Sequence, residues 1–299
     1  KGTEKIKGND FAKRIEAMGG TVNAFTSFDN TVYHIVVPSR VFREGFELLI
    51  ESVKNPAFPE QEIAKERKVV LEEIKMGEDE PQRKMFKELF SLSYHGEAYG
   101  KPVIGFKETV EKITRDDIVR YFRAHYVPVN QTIVVTGEFD KAIAQDLIVK
   151  YLADQKGGRK ERPRKTADSN VQGDTERTVY KDVRENYIAL AYGIPKRTGP
   201  DVPAIDVLGT ILGDGESSRL QEVLKKRKAV VNGIATYVFT PQEEGLFVVY
   251  GNYSGSETKN VVRGIETEIR RMQKEDIKEW ELVKAKNMLK PYFIYDAES

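Results

Sequence analysis

The sequence predicts an α+β protein of two homologous halves, each a mostly antiparallel sheet packed against helices. Three observations carry this expectation: one order of elements occurs twice, a fixed offset relates the copies, and a polar segment poor in large apolar residues separates them. In the first copy, residues 21–27 and 31–38 alternate with period two and read as paired strands. Residues 43–53 and 59–76 then carry helical spacing, and a short amphipathic helical pattern precedes the strands. In the second copy, residues 232–240 and 245–253 alternate, and residues 258–272 and 278–292 have helical spacing. Aligning Glu62-Ile63-Ala64-Lys65 with Glu281-Leu282-Val283-Lys284 sets the offset at 219 residues, 281 against 62.

The separating segment contains Gly157-Gly158 and a basic run over residues 159–165, and reads as an exposed linker. The expected organisation is therefore a first half over residues 1–154, a linker over 155–176 and a second half over 177–299. By the same offset, a first half that matched the second in full would start about 40 residues before Lys1, and the second would run past Ser299. Both halves are expected to be incomplete at their outer ends.

Composition narrows the classes of function. The chain has 299 residues, 39% of them hydrophobic, enough to bury a core in each of two domains. Its 48 Lys+Arg against 47 Asp+Glu leave a net charge of +1, so no global field recruits nucleic acid or an anionic membrane. No apolar run approaches the length of a spanning helix. With no cysteine, disulfides, thiolate metal ligands and thiol catalysis are excluded together, and the compartment stays open.

Chemistry is sought where the copies differ, because a duplicated fold needs only one copy of a site. Glu66 and Glu73 lie seven residues apart, two turns along one helix face beside Val69, Val70 and Ile74. At the repeat offset their counterparts are Ala285 and Tyr292, so the acidic pair belongs to the first half alone. By spacing alone the pair also fits a solvated face; against the core, unpartnered carboxylates are costly. The three histidines, His34, His95 and His125, are scattered without an i,i+4 pair and read as structural or surface residues.

An ordered set of segments resembles the pitrilysin/insulinase-type zinc metallopeptidases, the family of mitochondrial processing peptidase and bacterial zinc-protease subunits. The segments are Lys1-Gly2-Thr3-Glu4-Lys5, Ala17-Met18-Gly19-Gly20, Asn23-Ala24-Phe25-Thr26-Ser27 with Thr31-Val32-Tyr33, and Glu66-Arg67 to Glu73. Tyr99-Gly100-Lys101-Pro102, His125-Tyr126, Leu212-Gly213 and Ser217-Ser218-Arg219-Leu220 complete the set. The resemblance implies duplicated metallopeptidase-like halves and a zinc-dependent endopeptidase acting on peptides or unfolded polypeptides. Family members bind Zn²⁺ through the two histidines of an H-x-x-E-H helix, whose glutamate is the general base, and a distant glutamate. No H-x-x-E-H occurs in these 299 residues. The resemblance places that helix just upstream of Lys1, which implies no catalytic residue within this chain and no activity for it alone.

By the same resemblance Glu73 is the metal ligand and Glu66 a carboxylate that orients a ligand from behind. Asn23, Ala24, Phe25, Thr26 and Ser27 form the edge strand to which an extended peptide substrate adds. Catalytically complete members also carry an Arg and, seven residues on, a Tyr that bind substrate. Here those positions are Lys225 and Asn232. The implied partner is a homologous subunit carrying the Arg/Tyr pair, in a homo- or hetero-oligomer, with no nucleic acid or membrane. The competing expectation is a non-catalytic peptide-binding or structural homologue, similar to core subunits of respiratory complexes.

Overall fold

The computed structural model describes residues 2–8, 10–95, 97–153, 175–255 and 257–298. Most of the expected linker, residues 155–174, lies outside the described residues. The chain forms two compact units. One comprises the described residues of Lys1–Met76 and Val103–Lys165, the other those of Gly77–Pro102 and Thr166–Ser299.

The first unit starts with α1 (Asp10–Ala17) and an antiparallel ribbon, β1 (Thr21–Thr26) and β2 (Thr31–Val36), paired from Thr21↔Val36 to Thr26↔Thr31. The ribbon turns at residues 27–30, where the Ser27 Oγ accepts from the Asp29 and Asn30 amides and donates to Asn30 Oδ1 at 2.8 Å. Helix α2 (Phe42–Lys54) follows, then the long α3 (Glu60–Asp79), which opens with Glu60 and Glu62 at its positive end. Apolar side chains from one face of the ribbon, Val22 and Ile35, close over Ile15 of α1 and Leu48 of α2.

Further along the first unit are the helical turn α5 (Lys107–Val110), α6 (Arg115–His125) and α7 (Lys141–Leu152). Helix α6 begins with a capping box in which Thr114 and Asp117 satisfy each other's amides, and the Asp140 carboxylate caps α7. Leu147 of α7 packs against Phe46 and Ile50 of α2 in a second cluster.

The second unit is built on a three-stranded antiparallel sheet in the order β3 (Asn186–Ile194), β5 (Gly245–Tyr253), β4 (Gly233–Phe239). Its helices are α4 (Pro81–Ser93), α8 (Val202–Gly213), α9 (Thr258–Lys274) and α10 (Glu279–Glu298), with a π-helical stretch at Gln221–Arg227. Both faces of β5 are covered. Phe247, Val249 and Tyr253 join the core of α8, α9 and the π-helix, whereas Leu246 and Val248 pack with Tyr94 and Tyr99 and, on α4, Phe86, Leu89 and Phe90. Burial on both faces explains why Leu246-Phe247-Val248-Val249-Tyr250 is a continuous apolar run rather than an alternating one. Residues 77–102, which the sequence reading keeps in the first half, supply that second cover. Helix α8 approaches β4 closely at Gly213, where a Cβ would come within 2.7 Å of the Thr236 amide nitrogen.

Helices α3 and α10 are each 20 residues long and keep the 219-residue offset at both ends, 279 against 60 and 298 against 79. The order strand, strand, helix, helix therefore recurs as β1-β2-α2-α3 and β4-β5-α9-α10, in a mixed fold of helices and antiparallel sheets.

An ion cluster ties the end of α3 and α4 to the irregular segment at Arg177. Lys84 Nζ lies 2.7 Å from Glu78 Oε2 and 2.9 Å from Glu88 Oε1, Lys87 bonds Glu78, and Arg177 Nη1 meets Glu88 Oε2 at 2.7 Å. Burial pushes both carboxyls up, but the hydrogen bonds from Lys84, Lys87 and Arg177 more than offset it, so both sit below the usual carboxylate range. With folded values below unfolded ones, their contribution is present above about pH 4.3 and is lost as pH falls through the folded values. Glu88→Gln is therefore expected to cost about 1 kcal/mol or less near neutral pH, a difference that shrinks on acidification. Thermal unfolding of the two proteins across pH checks it; a gap that grows toward acid would reject this cluster as a stabilising device.

Candidate functional site

The strand β1 is exposed and runs along an open edge in the first unit. In the turn the Ser27 amide donates to the Asn30 carbonyl at 2.8 Å, which fixes the alternation of the ladder. Residues 21, 23 and 25 exchange hydrogen bonds with β2, while the amides and carbonyls of Val22, Ala24 and Thr26 face away from it. β1 has no second neighbour among the described residues. One outward donor is covered by its own neighbour: Asn23 Oδ1 accepts from the Ala24 amide at 2.8 Å. Asn23 and Phe25 project from the solvent face, with Phe25 53% exposed and edge-on to His34 of β2. Ala24, Thr26 and Ser27 are exposed as well. All five expected substrate-binding residues thus lie along one open strand edge or its turn.

The ribbon is anchored from beneath by a pair that the sequence did not announce. The Tyr33 and Tyr126 hydroxyls lie 2.6 Å apart, joining β2 to the end of α6. Burial and the hydrogen bond with Tyr33 push the Tyr126 phenol well above its ordinary value, so the Tyr126 hydroxyl keeps its proton at physiological pH.

Glu66 and Glu73 lie on α3 as expected, but not against the core. Ile74 is the buried residue of that helix; Glu66 is half-buried and Glu73 exposed, and Val69 is 50% exposed. The stripe that packs runs through Ile63, Arg67, Val70 and Ile74, with the two carboxylates flanking it. Arg67 fixes the helix by donating to the Ile113 carbonyl. Seven residues of helix separate Glu66 from Glu73 by about 10.5 Å of rise, about two turns along α3.

The residues present do not by themselves make a zinc site: among the described residues no three His, Cys, Asp or Glu side chains converge on one point. His34 sits on β2, His95 in a turn with φ +46°, and His125 is stacked on Tyr121 with ring centroids 3.9 Å apart. Glu73 can supply at most one ligand.

In the second unit, Lys225 lies in the π-helix, with Nζ 3.8 Å from Glu216, and Asn232 is held in a clamp. The Glu185 carboxylate accepts from Asn232 Nδ2 and Asn252 Nδ2, both at 2.6 Å. Asn232 and Asn252 are held by Glu185 within the unit, whereas Lys225 makes only a long surface ion pair with an exposed carboxylate. The adjoining Ser-Ser-Arg-Leu segment is also structural: Leu220 is fully buried, and Arg219 makes a two-pronged bond to Glu281 of α10 at 2.7 and 2.8 Å.

Residues 1–107 match the family model described as Insulinase (Peptidase family M16), and residues 112–289 match Peptidase M16 inactive domain. An uncharacterized zinc protease of Rickettsia felis is 26% identical over 293 residues, 97% of this chain and 69% of that protein. The zinc protease PqqE of Helicobacter pylori is 28% identical over 304 residues, covering 100% of this chain and 68% of its own length. The crystal structure of a protease from Helicobacter pylori superimposes with a TM-score of 0.88 at 27% identity, over 100% of this chain and 74% of that one. With the two family models accounting for residues 1–107 and 112–289, the chain belongs to peptidase family M16, the insulinase or pitrilysin family.

Proposed function

We propose that this chain is the larger part of a zinc-dependent endopeptidase subunit that takes polypeptide substrates in extended form along β1. The observation that carries the reading is the open edge of β1, whose outward amides and carbonyls at Val22, Ala24 and Thr26 offer a backbone ladder to an incoming strand. Family membership and the naming of relatives as zinc proteases support the hydrolytic part.

In this reading Glu73 supplies a carboxylate to Zn²⁺, and Glu66, half-buried one turn-pair earlier, steadies the site from behind. The two histidines and the general base are not among these 299 residues, so the chain alone is inactive. The Arg/Tyr function comes from a homologous subunit, since Lys225 and Asn232 occupy those positions and Asn232 is held by Glu185.

The test is the metal content of the protein carrying the family's H-x-x-E-H segment ahead of Lys1. About one zinc per chain is expected, with Glu73→Gln losing most of it and Glu66→Gln weakening binding by roughly 10–100-fold. Equal zinc in all three proteins would remove the ligand assignment. No zinc in the longer wild-type protein would favour a non-catalytic peptide-binding homologue.

A further inference from the structure

A cavity of about 470 Å³ opens in the first unit between the loop at Asn55–Phe58, the N-terminal segment and one face of α6. It lies at the beginning of α3, about 13 residues or some 20 Å of helix from Glu73, and is therefore separate from the proposed metal ligand. Arg115, Val119, Phe122 and Arg123 line it at positions i, i+4, i+7 and i+8 of α6, one helix face. The apolar floor is made by Val119 and by Phe58 edge-on to Phe122, ring centroids 5.4 Å apart.

Two features mark the cavity as a built site. Phe58 has φ +48°, a left-handed conformation unfavourable for a bulky side chain, and the Arg115 guanidinium holds it there by donating to the Phe58 carbonyl at 2.8 Å and the Ala57 carbonyl at 3.4 Å. The wall is also cationic within a nearly neutral chain, with Lys5, Lys54, Arg115 and Arg123 against Glu4 and Glu51. Glu51 is already answered by Lys5 at 3.8 Å and by Asn55 Nδ2 at 2.8 Å. Arg123 has no acceptor among the described residues.

We infer that this cavity is a docking site for an extended acidic segment of polypeptide, with two carboxylates four residues apart flanking an apolar side chain. The spacing follows from the two geometries. Arg115 and Arg123 are separated by eight helical residues, about 12 Å of rise, and residues i and i+4 of an extended strand by about 13 Å. Residue i+2 of that strand falls on the same face and meets Val119 and Phe122, and the two carboxylates neutralise the surplus of two cations over carboxylates in the wall. The site does not depend on zinc or on cleavage.

The experiment is fluorescence anisotropy of a labelled acetyl-Glu-Ala-Leu-Ala-Glu-amide titrated with the 299-residue chain. Saturable binding that weakens with added salt is expected, as is a loss of about five-fold in affinity in Arg123→Ala with an unchanged unfolding midpoint. Replacing both peptide glutamates by glutamine should weaken binding at least as much. Ala24→Pro, which blocks the edge of β1, should leave it intact. Absence of saturable binding, equal affinity of Arg123→Ala, equal affinity of the glutamine peptide, or loss of binding in Ala24→Pro would each overturn the assignment.

Discussion

Arg219→Ala is expected to destabilise the second unit by about 3–5 kcal/mol, the cost of leaving a buried carboxylate without its cation. Only 11% of the Arg219 side chain and 7% of the Glu281 side chain are exposed, and the guanidinium fork meets both carboxylate oxygens. Glu281 also accepts from the Lys278 amide at 3.0 Å, so the same carboxylate closes the start of α10. The hydrogen bonds from Arg219 outweigh burial and hold the Glu281 carboxyl below its ordinary range. A folded value below the unfolded one means that this contribution exists near neutral pH and disappears as pH falls through the folded value. Against a typical domain stability of about 5–15 kcal/mol, the loss consumes a large fraction. Denaturant unfolding checks it. A double change to Met at 219 and Leu at 281 should recover most of the stability, because removing both charges removes the orphan. A loss below about 1 kcal/mol in Arg219→Ala would show the pair to be solvated.

The contrast between what the sequence disclosed and what it hid has a physical origin. Period-two alternation exposed β1 and β2, because one face of the ribbon packs and the other meets water. Helical spacing with the 219-residue offset located α3 and α10 together. The strand β3 and helix α8 were not separated out by the same patterns. Both are apolar around most of their surface, leaving little contrast for a period to show. The placement of residues 77–102 on β5 was hidden for a related reason: a helix pattern reveals which face is apolar, and not which sheet that face will cover.

At the candidate site, residue spacing picked out Glu66 and Glu73 and left their burial open between a solvated face and the core; the structure places them toward solvent. An i,i+7 pair beside an apolar stripe can flank the packed line rather than join it, and α3 packs through Arg67 and Ile74 instead. The Tyr33–Tyr126 bond and the Glu185 clamp on Asn232 join residues 93 and 47 positions apart, and a single sequence carries no signal for such pairs. The Arg115, Val119, Phe122, Arg123 face follows helical spacing but was not picked out from the sequence. The strained Phe58 that completes the cavity was not either, because positive φ at a phenylalanine has no local signature.

The edge-strand reading separates two neighbouring substitutions that composition would treat alike. Ala24→Pro removes an amide that faces away from β2, which Asn23 Oδ1 now covers, so the ribbon keeps its ladder. Phe25→Pro removes an amide that the ladder uses opposite Val32, and should cost about 1–3 kcal/mol by leaving that carbonyl unpaired. The expected result is a clean dissociation of binding from stability. Ala24→Pro should lower affinity for an uncharged extended peptide by at least about tenfold, since an added strand loses its central donor and meets the proline ring. Its unfolding midpoint should stay close to that of the parent chain. Phe25→Pro should lower the midpoint, and any loss of binding there should track the unfolded fraction. Titration of a labelled alanine- and threonine-containing peptide, with thermal unfolding of each variant, distinguishes them. If Ala24→Pro binds as tightly as the parent, β1 is not where polypeptide adds. The proposed substrate path would then have to run along another edge, while Glu73 as a metal ligand would stand or fall separately by zinc content.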